Sequence, residues 1–212
     1  MSFSAELRQA AEPIWQAQHD HPFVRGIGDG TVDPRRLERW VRQDYRFLVE
    51  YCRLFALAAA RSPDLETLAR FAELLRATAV TEMDLHRSYA AGFGITTAEL
   101  EAEEMAPVTR AYTDFLLRTA ALGDFAELAA ALLPCMWGFN EIGLRLAERG
   151  RPADDRCAAW IDAYADPAFT ELATWCRALV DRLADDAGPQ ARARMRDAFL
   201  TSSQHELAFW DV

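Results

Sequence analysis

The chain is predicted to be all-α, and three observations carry that prediction. Apolar residues recur at three- and four-residue spacing along most of its 212 residues, the period of an amphipathic helix. Helix-starting pairs punctuate the pattern, notably Asp33-Pro34, Asp166-Pro167 and Gly188-Pro189, each setting Pro at a first helical position. No run shows the strict alternation of a half-buried strand, and no internal repeat or domain-sized linker is present. The expected architecture is a single-domain helical bundle, residues 1–212, of about nine helices.

The elements follow from local chemistry. A first helix is expected over Ala5–His19, through Leu7, Ala11, Ile14 and Trp15, and His21-Pro22-Phe23 breaks it. Gly26, Gly28, Gly30 and Thr31 read as a loop, and one without the strand and glycine spacing of a nucleotide-binding turn. Asp33 and Pro34 then open a helix to about Arg61, stopped by Ser62-Pro63-Asp64. Another is expected from Leu65 to Ala91, ended by Gly92 and Gly94. Thr96 with Glu99 forms a capping box for a short helix. Pro107 opens a helix to Leu122, and Asp124 with Glu127 caps a long one closed by Gly150 and Pro152. Three more begin at Asp154 or Asp155, at Asp166-Pro167 and at Gly188-Pro189.

Composition narrows the function. The chain is 51% hydrophobic and 26% charged, enough apolar material for a sizeable core. Its net charge of -10 argues against nucleic acid or an anionic membrane as a main partner. No apolar run approaches the ~20 residues of a membrane span, and the first residues lack the apolar core of a signal peptide. A cytoplasmic location is expected. Cys52, Cys135, Cys157 and Cys176 form no C-x-x-C pair and read as free thiols.

The stretch Leu132-Leu133-Pro134-Cys135-Met136-Trp137-Gly138-Phe139 draws attention first. A proline inside a helical run deprives the carbonyl four residues back, that of Ala130, of its usual donor. Cys135 follows at once, with Phe139 one turn on. The spacing fits either a buried core cysteine or a presented nucleophile. On the helix after Asp33, Asp44, Phe47, Leu48, Tyr51 and Phe55 share one face. A carboxylate on that apolar stripe needs a partner. Asp44 is thus either one half of an ion pair, with an arginine on another helix, or a carboxylate awaiting a polar ligand beside two rings. Near the end, Glu206, Phe209 and Trp210 share a face, but the C-terminus follows at once and spacing alone favours Glu206 facing solvent. Tyr112 and Tyr164 each sit where an apolar stripe tolerates a hydroxyl tip, and taken singly each reads as core rather than ligand contact.

Metal chemistry gains little support. Glu82 and His86 lie four apart, which is half a site and more readily a local polar contact. No Glu-x-x-His occurs, because Met83 and Ser202 stand three before His86 and His205. A serine hydrolase would need a G-x-S-x-G elbow, which is also missing. No metal and no cofactor is expected.

Taken together, His21-Pro22-Phe23-Val24, Gly30-Thr31, Gln43-Asp44-Tyr45, Glu82-Met83 through His86, Pro134-Cys135, Glu141-Ile142-Gly143 and Glu206 with Phe209-Trp210 resemble the TenA family. Its members are also called thiaminase II or aminopyrimidine aminohydrolase. The resemblance spans nearly the whole chain in the same order. It implies a fold similar to haem oxygenase, a homotetramer, and hydrolysis of thiamin-derived aminopyrimidines that releases hydroxymethylpyrimidine for thiamin salvage. It further implies that Cys135 is the nucleophile, that Glu206 protonates a ring nitrogen, and that Asp44 holds the exocyclic amino group. Ring contacts to the pyrimidine fall on Phe47, Tyr51, Tyr112, Phe139, Tyr164 and Phe209. The chain departs from the pattern at Phe139 and His205, where many members carry tyrosine. The loss of a hydroxyl at Phe139 touches rate and leaving-group preference more than reaction type. Two rival readings share the fold: a non-catalytic pyrimidine-binding or regulatory protein, and a haem- or di-iron-dependent oxidoreductase.

Overall fold

A computed structural model describes the backbone of residues 1–212 and all side chains except those of Thr81 and Leu85. Among the described residues there are twelve α-helices, one π-helical segment and no strand. The chain divides into two compact units.

The first unit comprises Met1–Asp33 and Ala126–Asp211. It holds α1 (Phe3–Ala10), α2 (Glu12–Asp20) and α3 (Pro22–Asp29). It also holds nearly all of α9 (Phe125–Glu148), then α10 (Asp155–Tyr164), α11 (Pro167–Asp185) and α12 (Pro189–Phe209). The expected first helix is divided at Ala11. The reason is Pro13 near the start of α2, whose ring opposes the carbonyl four residues earlier, that of Gln9.

Of the residues expected to form a loop, Gly26 and Gly28 instead lie in α3, a second correction, while Gly30 and Thr31 follow its end. His21 caps this helix, its Nδ1 accepting the Phe23 N–H at 3.2 Å, and Pro22 occupies the first position. Two of the glycines are there for room. A Cβ on Gly26 would lie 3.0 Å from the Val32 backbone, and one on Gly28 would lie 2.8 Å from Leu146. Gly30 ends the helix with a left-handed φ of 68°.

The core of this unit is aromatic. Trp15 stacks with Phe199 at 6.0 Å, meets Trp137 edge-on at 5.2 Å, and donates its Nε1 hydrogen to Ser203 Oγ at 3.0 Å. Trp210 donates to Gln18 Oε1 at 3.1 Å. These bonds satisfy indole N–H groups that burial would otherwise leave without a partner. Ser4 ties α1 to α11 by two hydrogen bonds to Asp181, at 2.6 and 2.9 Å.

The second unit comprises Pro34–Phe125 and Val212. Its hub is α4 (Pro34–Arg61), against which α5 (Leu65–Arg76), α6 (Met83–Ala91), α7 (Thr97–Ala102) and α8 (Pro107–Leu122) pack. The apolar stripe is buried as the spacing required, from Leu37 and Val41 through Phe47, Leu48 and Tyr51 to Phe55. Gln43 locks the α7–α8 connection. Its amide nitrogen donates to Glu104 O at 2.9 Å, and its oxygen accepts from Ala106 N and Thr109 Oγ1, both at 2.8 Å. The helix expected from Leu65 to Ala91 is not uniform. Residues Ala77–Glu82 form a π-helical segment between α5 and α6, with the Met83 N–H reaching back five residues to Thr78 O.

Candidate functional site

Of the residues singled out from the sequence, Asp44, Phe47, Tyr51 and Tyr112 lie in the second unit, and Cys135, Phe139, Tyr164, Glu206 and Phe209 in the first. In the second unit, Phe47 is the centre of a ring cluster. Its centroid lies 5.3 Å from Tyr51 and 5.0 Å from Tyr112, and Tyr51 in turn meets Phe55 at 4.5 Å. Three of the ring residues named from the sequence are therefore brought together, all buried. Asp44 lies one turn before Phe47 on the same face of α4 and is 4% exposed. Its partner is a histidine, not the arginine expected for an ion pair. His86 Nε2, on α6, donates to Asp44 Oδ2 at 2.6 Å. The other ring nitrogen, Nδ1, faces Glu82 O at 3.3 Å, which is the local contact that the Glu82/His86 spacing suggested.

The electrostatics of this set follow from burial and charge. Burial works to lower the His86 pKa, yet the hydrogen bond and the negative charge of Asp44 prevail and hold it above its ordinary value. Burial pushes the Glu82 carboxyl up, with Asp44 adding to the rise while His86 and the Thr78 hydroxyl oppose it. The Cys52 thiol, also on α4, is pushed up by burial and by the Glu82 charge. His86 is the residue whose importance spacing understated, because its partner lies 42 positions away in the chain.

In the first unit, Pro134 does not end α9, which runs on through it. From Leu128 to Asn140 every residue is buried except Cys135, which keeps partial exposure. This separates it from Cys157 and Cys176, both buried. Cys135 is thus half-buried, as Cys52 also is. One turn on, Phe139 lies 4.9 Å from Tyr164, 5.1 Å from Trp210 and 6.0 Å from Trp160. Asn140 holds the end of α10 in place, donating to Tyr164 O at 3.0 Å and to Thr170 Oγ1 at 2.9 Å.

Glu206 is 2% exposed, so the reading that placed it in solvent is corrected. It lies on α12 with Phe209 one turn later, also buried, and buried Ser202 one turn earlier. Burial lowers the His205 pKa, which favours a neutral ring beside Glu206. Further along α9, Glu141 receives Arg8 Nη2 at 2.7 Å and His19 Nε2 at 2.9 Å. Burial pushes the Glu141 carboxyl up, but these two donors more than offset it and bring it down to about 2.

Each unit has chemical capacity of its own. The first unit carries a half-buried thiol at Cys135, a buried carboxyl at Glu206 and a ring cluster around Phe139. The second offers a carboxylate held by a histidine beside stacked rings, suited to a flat group bearing an N–H donor.

Comparison with known proteins places the chain among relatives. A curated relative from Halalkalibacterium halodurans, named aminopyrimidine aminohydrolase, is 44% identical over 215 residues, covering 100% of this chain and 95% of the relative. Among solved structures, a TenA homologue protein from P. horikoshii OT3 superposes with a TM-score of 0.93 at 28% identity, covering 100% of this chain and 97% of that one. A domain of unknown function with a heme oxygenase-like fold, from Shewanella denitrificans OS217, gives a TM-score of 0.75 at 14% identity, covering 98% of this chain and 90% of that one. That likeness is one of fold alone, and it agrees with the fold expected from the sequence. The family model described as TENA/THI-4/PQQC matches residues 8–212, and the chain belongs to that family.

Proposed function

We propose that this protein is an aminopyrimidine aminohydrolase that releases hydroxymethylpyrimidine from thiamin-derived aminopyrimidines. The observation that carries the reading is the partial exposure of Cys135 within an otherwise buried stretch of α9. The 44% identical relative of that name supports it.

The chemistry assigns each residue a role. A neutral aminopyrimidine is a poor target for a thiolate, so a ring nitrogen must first be protonated. Glu206, shielded from water, is the proton donor. Cys135 then forms a C–S bond to the activated ring. The adduct expels the leaving group from the exocyclic methylene, the ring-nitrogen proton passing to a departing amine or, when neutral thiazole departs, back to Glu206. Water adds its hydroxyl to that methylene and gives up a proton, which restores Glu206 after amine loss or passes to solvent after thiazole loss. The C–S bond then breaks, and the thiolate and aromatic ring are restored. Asp44 accepts the N–H of the exocyclic amino group. Phe47, Tyr51, Tyr112, Phe139, Tyr164 and Phe209 supply ring contacts without competing charge. The reading also includes a cytoplasmic enzyme assembled as a homotetramer.

One observation favours a second reading, a pyrimidine-binding protein without turnover: Phe139 offers no hydroxyl at its place among Tyr164, Trp160 and Trp210. Mass spectrometry of products separates the two. The purified protein, given thiamin or an aminomethylpyrimidine, should release hydroxymethylpyrimidine from at least one. Tight binding with no product from either would favour the second reading.

A further inference from the structure

The pairing of Asp44 with His86 holds more information than an ion pair. Both ring nitrogens of His86 face oxygens that only accept hydrogen bonds. Nε2 meets a carboxylate oxygen of Asp44 at 2.6 Å, and Nδ1 meets the main-chain carbonyl of Glu82 at 3.3 Å. A neutral imidazole has one N–H and would leave one of these contacts without a hydrogen. The ring that satisfies both is the imidazolium. Asp44 is then an anion that this cation faces, in surroundings where an unpaired charge would be strongly disfavoured.

Backbone geometry supports the same arrangement. His86 stands four residues after the last residue of the π-helical segment Ala77–Glu82. A π-turn takes an extra residue, which turns everything after it about the helix axis relative to a continuous α-helix, and such turns gather at functional sites. Here it sets the phase of α6, the helix that presents His86 to α4. Glu82, the end of that segment, supplies the carbonyl that fixes the second ring nitrogen. A histidine held at both nitrogens has one orientation left. It grips Oδ2 of Asp44, and among the described residues no donor is placed on Oδ1.

We propose that His86 is a positioning residue for pyrimidine recognition: as an imidazolium it fixes Asp44 through Oδ2 in one rotamer, so that Oδ1 accepts the N–H of the exocyclic amino group. The proposal rests on the aminopyrimidine reading above. It makes Asp44 and His86 one recognition unit, with the π-helical segment as its mount.

The test is a double-mutant cycle on Asp44 and His86, read as the Kd for hydroxymethylpyrimidine and as kcat and KM for an aminomethylpyrimidine. In His86→Leu the Kd and KM should rise about tenfold or more, with the smaller change in kcat. Asp44→Asn added to His86→Leu should cost less than about threefold further, because the unit is already broken. His86→Gln, which keeps an uncharged donor for Oδ2, should recover part of the affinity. A purely structural histidine predicts otherwise: His86→Leu would lower thermal stability, keep Kd within about twofold in the folded fraction, and add independently to Asp44→Asn. That result overturns the proposal.

Should His86→Leu fail to fold, nitrogen NMR of ring-labelled wild-type protein decides. His86 should show two protonated ring nitrogens near neutral pH, and its Nε2 signal should move when hydroxymethylpyrimidine is added. A ring with one proton, or one blind to the pyrimidine, overturns the proposal. If wild-type protein neither binds nor hydrolyses the pyrimidine, the functional reading fails and the proposal falls with it. Wild-type binding and turnover with an indifferent His86 removes the proposal alone.

Discussion

Gly143 on α9 and Tyr164 at the end of α10 are in backbone contact: a Cβ added to the glycine would lie 2.8 Å from the tyrosine Cβ and 2.7 Å from its carbonyl carbon. The neighbour cannot yield cheaply, because Asn140 also holds the Tyr164 carbonyl from α9. Gly143→Ala should therefore destabilise the protein by about 1–3 kcal/mol, as overpacking does. At this chain length that is a fall in Tm of roughly 2–4 °C per kcal/mol. It should also disturb the Tyr164 ring and raise KM for a pyrimidine. Thermal unfolding together with steady-state kinetics checks both.

Glu141 links α9 to Arg8 and His19, and its folded pKa of about 2 lies below the ordinary 4.5. A carboxyl with a depressed folded pKa adds stability that is complete above its ordinary value and is lost as pH falls towards the folded one. Wild type should exceed Glu141→Gln in unfolding free energy at pH 6–7, by up to about 3 kcal/mol. The gap should narrow from about pH 5 downwards and nearly close at pH 2. Denaturant melts of both proteins across that range measure it. A gap independent of pH would mean that the carboxylate charge is not what stabilises.

Thiol reactivity should sort the cysteines by environment. Burial and the nearby Asp154 charge raise the Cys157 thiol to about 11, and Cys176 is buried as well. Both should resist alkylation at pH 8 until the protein unfolds, whereas half-buried Cys135 should react in the folded state. Peptide mass spectrometry after brief labelling reads the order. Adding hydroxymethylpyrimidine should protect Cys135.

Glu206→Gln should lower turnover by about 100-fold or more while retaining pyrimidine affinity better than Asp44→Asn. An amide can still bond a ring nitrogen, but it cannot give up a proton as a carboxyl does. Wild-type activity should follow a bell against pH, one limb of which is absent in the variant. An unchanged rate would take Glu206 out of the site.

Much of this fold was legible because its signals are local. Asp154 accepts the N–H groups of Arg156 and Cys157, Asp166 accepts that of Ala168, and Thr96 with Glu99 completes a reciprocal cap, all within three residues of chain. The stripe from Asp44 to Phe55 was legible for the same reason, since a helix face needs only spacing. What escaped depends on distant neighbours. Gly26 and Gly28 signalled a loop by propensity, but they serve close contacts with Val32 and Leu146 inside a helix. The π-segment before His86 has no composition of its own. The burial of Glu206, and the histidine opposite Asp44, depend on elements far away in sequence. The chemically relevant residue types were therefore readable, while their partners were not.

The most direct test of the account is the rate of aminomethylpyrimidine hydrolysis by Cys135→Ser. The substitution is small, and Cys135 has residual exposure, so folding and Tm should be close to wild type. A serine hydroxyl is far less ionised and less nucleophilic than a thiol in the same place. The account predicts a loss of about 100-fold or more in kcat with pyrimidine binding retained. Full activity in that variant, with Cys52, Cys157 and Cys176 still present, would contradict it.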